Sequence, residues 1–227
     1  MDATEVNRRD GASGLQAVIA GQFRRPHGLL GALAGWIMAN RASNIARNHW
    51  TVDLMELAPG AEVLEIGCGP GSGIGAVLEK VPHSRVTGVD HSALMIARSA
   101  RRHAAALKAD RLDLWQGEVS SLPEGRRFDA VFSCNVLQFV EERTAFLEEV
   151  RRRLKPGGII ATTYQPRGQC ASAAEGRVWI SQFAEDLCTA GFQDVDVREK
   201  VFGAMPAFCA LGSLEAQQKA GAAKCSG

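Results

Sequence analysis

The hydrophobic pattern changes period repeatedly along this chain. Gln22 to Trp50 reads as helical, with Leu29, Leu33, Trp36 and Ile37 at helical spacing, and Ala42 to Leu57 continues the pattern until "APG" (Ala58 to Gly60) breaks it. From there short apolar runs alternate with helical segments. Val63 to Ile66 predicts a strand, Gly73 to Lys80 a helix, Arg85 to Asp90 a strand and Ala93 to Leu107 a helix. "LDLWQGE" and Phe128 to Asn135 predict two more strands. Glu142 to Leu154 predicts a helix with Phe146, Leu147, Val150 and Leu154 on one face. "KPGG" is a tight turn leading into a strand over Ile159 to Tyr164. A core-facing stripe of Trp179, Phe183 and Leu187 predicts a helix that stops near Gly191, a natural glycine just past a helix end. Strands over Asp194 to Val201 and Pro206 to Leu211 close the pattern. This alternation predicts a parallel sheet with helices on both faces, its ligand beyond the carboxyl ends of the strands.

Length makes this one domain with a small appendage, divided as a helical lid over 1–50, a ligand-binding domain over 51–213 and a flexible tail over 214–227. The net charge is +1 and the basic residues are scattered, which argues against nucleic acid as a partner. The six cysteines form no CxxC pair and no Cys/His cluster with zinc spacing, so free thiols in a reducing cytoplasm and no metal are expected. The N-terminus has no apolar signal core, and the run Gly28 to Ala39 is shorter than the ~20 residues a membrane span needs.

Candidate chemistry begins at "LEIGCGPGSG" (Leu64 to Gly73), where glycine stands at 67, 69, 71 and 73. Such a loop between a strand and a helix brings backbone N–H groups together on a ligand. The dinucleotide pattern G-x-G-x-x-G fails, because counting from Gly67 reaches Ser72 and counting from Gly69 reaches Ile74. A P-loop fails because no Gly-Lys-Ser/Thr follows. Glu65 beside the loop repels a pyrophosphate and suits a cationic amine or sulfonium; the alternative is a carboxylate that only ties down the loop's N–H groups. Asp90 ends the next strand 19 residues beyond Gly71, an offset that fits an acid bonding ribose hydroxyls. Its alternative is a cap for the helix starting near Ser92.

These motifs carry a resemblance. "VLEIGCGPGSG", "VTGVDHSALMIARSA", "WQGEVSSLP", "FDAVFSCNVLQFV" and "RRRLKPGGII" stand in the order found in class I S-adenosylmethionine-dependent methyltransferases, and the likeness runs from about Thr51 to Leu211. Within that family the chain is most similar to small-molecule enzymes of the ubiquinone/menaquinone C-methylase type. The resemblance implies a Rossmann-like sheet of seven strands, mostly parallel, with the last strand antiparallel. It implies S-adenosyl-L-methionine as cofactor, with the loop Gly67, Cys68, Gly69 and Gly71 and Glu65 at its methionine end and Asp90 on both ribose hydroxyls. His91 and Met95 would flank ribose and adenine, Glu118 would accept from the adenine amino group, and Val119 would pack beside the ring. Asn135, Val136 and Gln138 would close the pocket under the donor. Two positions depart from the family: Glu118 stands where Asp is usual, and Gln138 replaces a frequent histidine.

The activity so implied is in-line methyl transfer to a small, partly apolar molecule through an O, N or C acceptor. The alternative is a protein that binds the cofactor without transferring methyl, as a regulator or a rearrangement catalyst. A general base is needed only where the acceptor keeps its proton at neutral pH. His27 and His49, in the segment that can cross the open end of the site, and Tyr164, at the end of the fifth strand, are the catalytic candidates; His83 and His103 are expected to be solvated. Trp36, Met38 and Trp50 would line the lid. A membrane-surface helix is the rival reading of "FRRPHGLLGALAGWIM", and a monomer or homodimer is expected.

Overall fold

The computed structural model describes residues 41–167 and 171–216, and residues from Ile45 onward form one compact unit. His27, Trp36, Met38 and most of the expected lid lie outside the described residues. The elements run α1 (Arg41–Leu54), β1 (Glu62–Ile66), α2 (Ser72–Lys80), β2 (Arg85–Asp90), α3 (Ala93–Arg102), α4 (Ala104–Lys108), β3 (Leu112–Gln116), β4 (Phe128–Cys134), α5 (Arg143–Arg153), β5 (Leu154–Tyr164), α6 (Ala173–Thr189), β6 (Gln193–Phe202) and β7 (Met205–Ser213). The seven strands form one sheet in the order β3-β2-β1-β4-β5-β7-β6. β1 to β5 pair in parallel, and β7 is antiparallel to both neighbours. Only two residues, Gly203 and Ala204, join β6 to β7, so that pair is a hairpin and must be antiparallel.

Alternation along the central strands feeds two cores. Leu64 and Ile66 of β1 and Val131 of β4 pack with Leu147 and Val150 of α5 and Ile180, Phe183 and Leu187 of α6. Val63, Ala130 and Phe132 turn the other way, onto Val52 and Met55 of α1 and Ile74 and Val77 of α2. β1 is therefore apolar on both faces, as a central parallel strand must be. Register pulls the ends of β1, β2 and β4 to one edge, pairing Ile66 with both Val89 and Ser133.

Three local expectations are corrected. The helix expected over Ala93 to Leu107 breaks at His103 (φ −114°, ψ 30°), which ends α3 and begins α4, because its ring is engaged elsewhere. "KPGG" lies inside β5: between paired positions, β5 runs five residues from Leu154 to Ile159 while β4 runs two from Phe128 to Ala130. The turn is thus a bulge, with Gly157 at φ +77°. Trp50 is core, 9% exposed, with its ring centroid 5.6 Å from that of Phe202. The Trp179 stripe packs inward as expected, and Gly191 follows α6 at φ +82°. Cys68, Cys134, Cys188 and Cys209 are free thiols.

Candidate active site

The glycine loop leaves β1 at Gly67 and is anchored to β2, where Val89 O accepts from Gly67 N (2.8 Å) and Cys68 N (3.0 Å). Gly69 N donates to Asp90 Oδ2 at 2.8 Å. Gly69 itself is left-handed (φ +52°), and a Cβ built there meets nothing within 4 Å, so the loop crest faces open space. The opposite holds at Gly73 in the first turn of α2, where a Cβ would lie 2.3 Å from Glu65 Oε1. Absence of a side chain there lets the carboxylate tuck beneath the helix N-terminus, where unpaired amides favour an anion. Burial of Cys68 pushes its thiol up, reinforced by Glu65 and Asp90, so it is no nucleophile.

Glu65 is 3% exposed, and its Oε2 is fully buried without a hydrogen-bond partner. Burial drives its pKa well above the carboxylate range; the Ile74 and Gly73 amides pull it back while Asp90 pushes it further up. Both sequence readings of Glu65 therefore apply at once. The carboxylate steadies the loop's amides, and its second oxygen is left for a further donor. A buried acceptor of this kind costs about 1–3 kcal/mol or more while it lacks a partner.

Asp90, 7% exposed, braces the same edge: Oδ1 accepts from Ser92 N and Oδ2 from Gly69 N, both at 2.8 Å. Capping of α3 falls to Ser92, whose hydroxyl accepts from Met95 N. Each Asp90 oxygen keeps a second lone pair for hydroxyl donors. His91 follows with its side chain 92% exposed and Nδ1 4.0 Å from Asp90 Oδ1. Beyond β3, Glu118 is exposed and Val119 buried, and Gly117 N donates to Asp90 O at 3.0 Å, holding the β3 end against that of β2.

Across β1, Asn135 adopts φ +56°, a left-handed conformation that asparagine tolerates. Its N–H donates to Thr163 O, its Oδ1 accepts from Gln165 N, each at 2.8 Å, and its carbonyl accepts from Gln138 Nε2 at 2.9 Å. Asn135 Nδ2 and Gln138 Oε1 remain buried without partners. Val136 lies over Gly67, where its Cγ2 is 2.4 Å from an added Cβ. Glu65, the glycine loop, Asp90, Asn135, Val136 and Gln138 are thus gathered at the ends of β1, β2 and β4.

Of the described catalytic candidates, His49 lies apart from this cluster. His49 Nε2 lies 3.8 Å from Glu79 Oε2, and its carbonyl accepts from Lys80 Nζ at 3.4 Å. Both partners sit at the last turn of α2, away from the loop that opens that helix. Tyr164 packs against Trp179 with the rings tilted by 38° (centroids 4.5 Å apart); burial, then Glu175, raises its pKa, against a smaller pull from Arg167. Sequence reasoning missed His103, whose Nε2 is 2.7 Å from Gly71 O, and Arg47, 1% exposed, whose Nη1 donates to Gln165 Oε1 at 2.6 Å. Neither carried a signal, because an arginine or histidine on a polar helix face is ordinarily solvated.

The donor set fits S-adenosylmethionine. The unpartnered Glu65 oxygen suits its ammonium group, Asp90 its ribose hydroxyls, and the open crest at Gly69 a close-lying chain. A methyltransferase-domain family matches residues 64–160. An uncharacterised methyltransferase of Bacillus subtilis, YdaC, is 34% identical over 169 residues, 74% of this chain and 90% of that protein. A trans-aconitate 2-methyltransferase of Azoarcus is 33% identical over 112 residues, 48% of this chain and 42% of that protein. The Haemonchus contortus phosphoethanolamine N-methyltransferase 2, solved with S-adenosyl-L-methionine, shares the fold, with a TM-score of 0.60 at 18% identity over 76% of this chain and 53% of that one. These relatives do not single out the C-methylase subgroup. Taken with the loop and its two carboxylates, they show that the chain belongs to the class I S-adenosylmethionine-dependent methyltransferases and uses S-adenosylmethionine as its cofactor.

Proposed function

We propose that the protein moves a methyl group by in-line displacement onto a small, partly apolar molecule bound beyond the ends of β4 and β5. The observation that carries this reading is the buried, unpartnered Glu65 Oε2 at the head of an open glycine loop. When bound, the cofactor supplies an already activated methyl on a sulfonium. Displacement would leave S-adenosylhomocysteine, and an acceptor that still carried its proton would release it to solvent or to a base. The chain's own part is to bind, orient and exclude water, and alignment alone supplies ~7–11 kcal/mol.

In this reading Glu65 holds the ammonium, the backbone of Gly67, Cys68, Gly69 and Gly71 lies along the methionine chain, and Asp90 takes the ribose. Met95 and His91 flank ribose and adenine; Val119 packs beside the ring, and the longer Glu118 reaches the amino group through backbone or water. Asn135, Val136 and Gln138 close the floor, where Asn135 Nδ2 and Gln138 Oε1 offer a donor and an acceptor toward the reacting molecules. His49 is engaged with Glu79 at the far end of α2, and this reading gives it no proton to take. Tyr164, at the end of β5, is the described candidate for orienting the acceptor.

Relatives named for trans-aconitate and phosphoethanolamine support a small-molecule acceptor, although the chain spans only about half of each. Among the described residues no helix is long and apolar enough to cross a membrane. A protein that only bound the cofactor would keep the same loop and carboxylates, so binding does not separate the two readings; turnover does. Incubation with S-adenosylmethionine and separate small-molecule, RNA and protein fractions should release S-adenosylhomocysteine with the first. Binding without release in any fraction would favour the non-transferring alternative.

A further inference from the structure

The glycines around the first turn of α2 admit side chains from two different elements. Residues two apart on a helix face roughly opposite ways, so the space at Gly73, taken by Glu65, is separate from that at Gly71 and Gly75, taken by His103. A Cβ at Gly71 would lie 2.8 Å from His103 Nε2 and 2.6 Å from Ser99 Oγ; one at Gly75 would lie 3.2 Å from His103 Cε1. His103 Nε2 is 2.7 Å from Gly71 O. A carbonyl only accepts, so Nε2 carries the proton. Burial lowers the His103 pKa, the bond to Gly71 opposes that, and the Arg102 cation adds to it. The ring is therefore the neutral Nε2–H tautomer at neutral pH, with Nδ1 bare.

Gly71 is where the glycine loop ends. Its N–H donates to Cys68 O at 2.9 Å, closing a turn, and its carbonyl also accepts from Gly75 N at 3.1 Å, opening α2. That helix bond does not need the histidine; what His103 adds is a tie from the loop to α3. Ser99 Oγ is buried beside the same glycine without a partner, so the bond from α3 to Gly71 O falls to His103. Arg102 adds a neighbouring contact, its Nη1 donating to Ser72 Oγ at 3.3 Å. α3 opens at its Ser92 cap, just past Asp90, and closes at His103. One helix thus follows the Asp90 carboxylate at its start and grips the loop's exit at its end.

We propose that His103 is a positioning residue for the cofactor: its Nε2–H fixes the end of the glycine loop against α3 and so sets where the loop backbone meets the methionine half of S-adenosylmethionine. This rests on the placement of that half along Gly67 to Gly71. His103 acts through Gly71 rather than on the ligand.

Calorimetry of the full chain with S-adenosylhomocysteine tests it, with 5′-methylthioadenosine, which has no amino-acid moiety, as the control. Glutamine can place an N–H near the position of Nε2, whereas asparagine, one methylene shorter, reaches only that of Nδ1. His103→Asn should weaken S-adenosylhomocysteine roughly three- to tenfold, the range of one neutral hydrogen bond. His103→Gln should recover most of that loss, and 5′-methylthioadenosine should bind both variants as it binds the wild type. Wild-type affinity in His103→Asn, or a loss in His103→Gln equal to that in His103→Asn, would overturn the inference. So would equal losses for the two ligands, which a merely loosened fold would give. Nitrogen-15 spectra of the wild-type imidazole test it without a variant: Nε2 should be protonated and Nδ1 bare at neutral pH, and the opposite tautomer would overturn it. Amide signals of Gly69 and Gly71 that stay fixed when S-adenosylhomocysteine binds would overturn the placement of the cofactor, and this inference with it.

Discussion

Replacing Glu65 by Gln isolates the contact on which the cofactor site depends. The amide keeps the shape beneath α2 and can still accept from the Ile74 and Gly73 amides, but the negative charge is gone. A hydrogen bond to a charged group contributes about 1.5–3 kcal/mol, so S-adenosylmethionine should bind roughly 10- to 150-fold more weakly. The control is 5′-methylthioadenosine, which keeps ribose and adenine but has no amino-acid moiety; its affinity should not move. The charge also predicts a pH dependence. Burial raises the Glu65 pKa, so the cofactor-free protein holds a proton there above the ordinary carboxylate range, and the ammonium favours the ionised form. Binding therefore releases a proton, and affinity rises by up to about tenfold per pH unit between the liganded and the raised free pKa. Stability of the cofactor-free fold has the opposite slope. The folded state keeps a proton that the unfolded chain has lost, so stability falls as pH climbs from the ordinary carboxylate range toward the raised value. Titration calorimetry in buffers of different ionisation enthalpy reads both affinity and protons, and Gln should abolish the release. Unchanged S-adenosylmethionine affinity in Glu65→Gln, or an equal loss for 5′-methylthioadenosine, would refute the assignment.

Asp90→Ala should cost at least tenfold in S-adenosylmethionine affinity, because it removes both the ribose acceptor and the brace on Gly69 N; calorimetry matching wild type would remove Asp90 from the site. Gly69→Val places a branched side chain at φ +52°, a strain on the order of 1–3 kcal/mol, and fills the open crest. Thermal melting should show a modest loss of stability and calorimetry a larger loss of cofactor binding, whereas retained binding would move the cofactor off the crest. Deleting residues 1–40, which carry most of the expected lid, should leave cofactor binding measurable and abolish methyl transfer; full turnover in the truncated chain would remove the lid from the mechanism.

The parts that were legible in the sequence are those set by local chemistry. Glycine spacing after a short apolar run marks a strand–loop–helix, and a carboxylate at each of two strand ends marks what the loop faces; the structure sets Glu65 and Asp90 against that loop, and the mostly parallel sheet matches the alternation of strand and helix. The parts that were not legible depend on partners far along the chain. His103 breaks a helix because its ring reaches Gly71, 32 residues earlier, and no periodicity records that contact. "KPGG" has the composition of a turn, yet pairing with β4 and β7 on either side makes it a bulge within one strand. Trp50 has the chemistry of a lid residue, yet its ring packs against Phe202 at the end of β6. Arg47 lies on a helix whose pattern does not distinguish a buried arginine from a solvated one; its contact with Gln165, 118 residues on, is a property of the fold. The place of His49 was illegible for the same reason, since proximity to a site is a property of the fold and not of the segment.

The most direct measurement is mass spectrometry of a small-molecule extract incubated with the enzyme and S-adenosylmethionine bearing a trideuterated methyl group. The account predicts a labelled small molecule, formed in equal amount with S-adenosylhomocysteine and absent with Glu65→Gln under limiting cofactor; its fragmentation would give the acceptor atom. Cofactor binding with no labelled product from any extract, or label found only in RNA or protein, would contradict it.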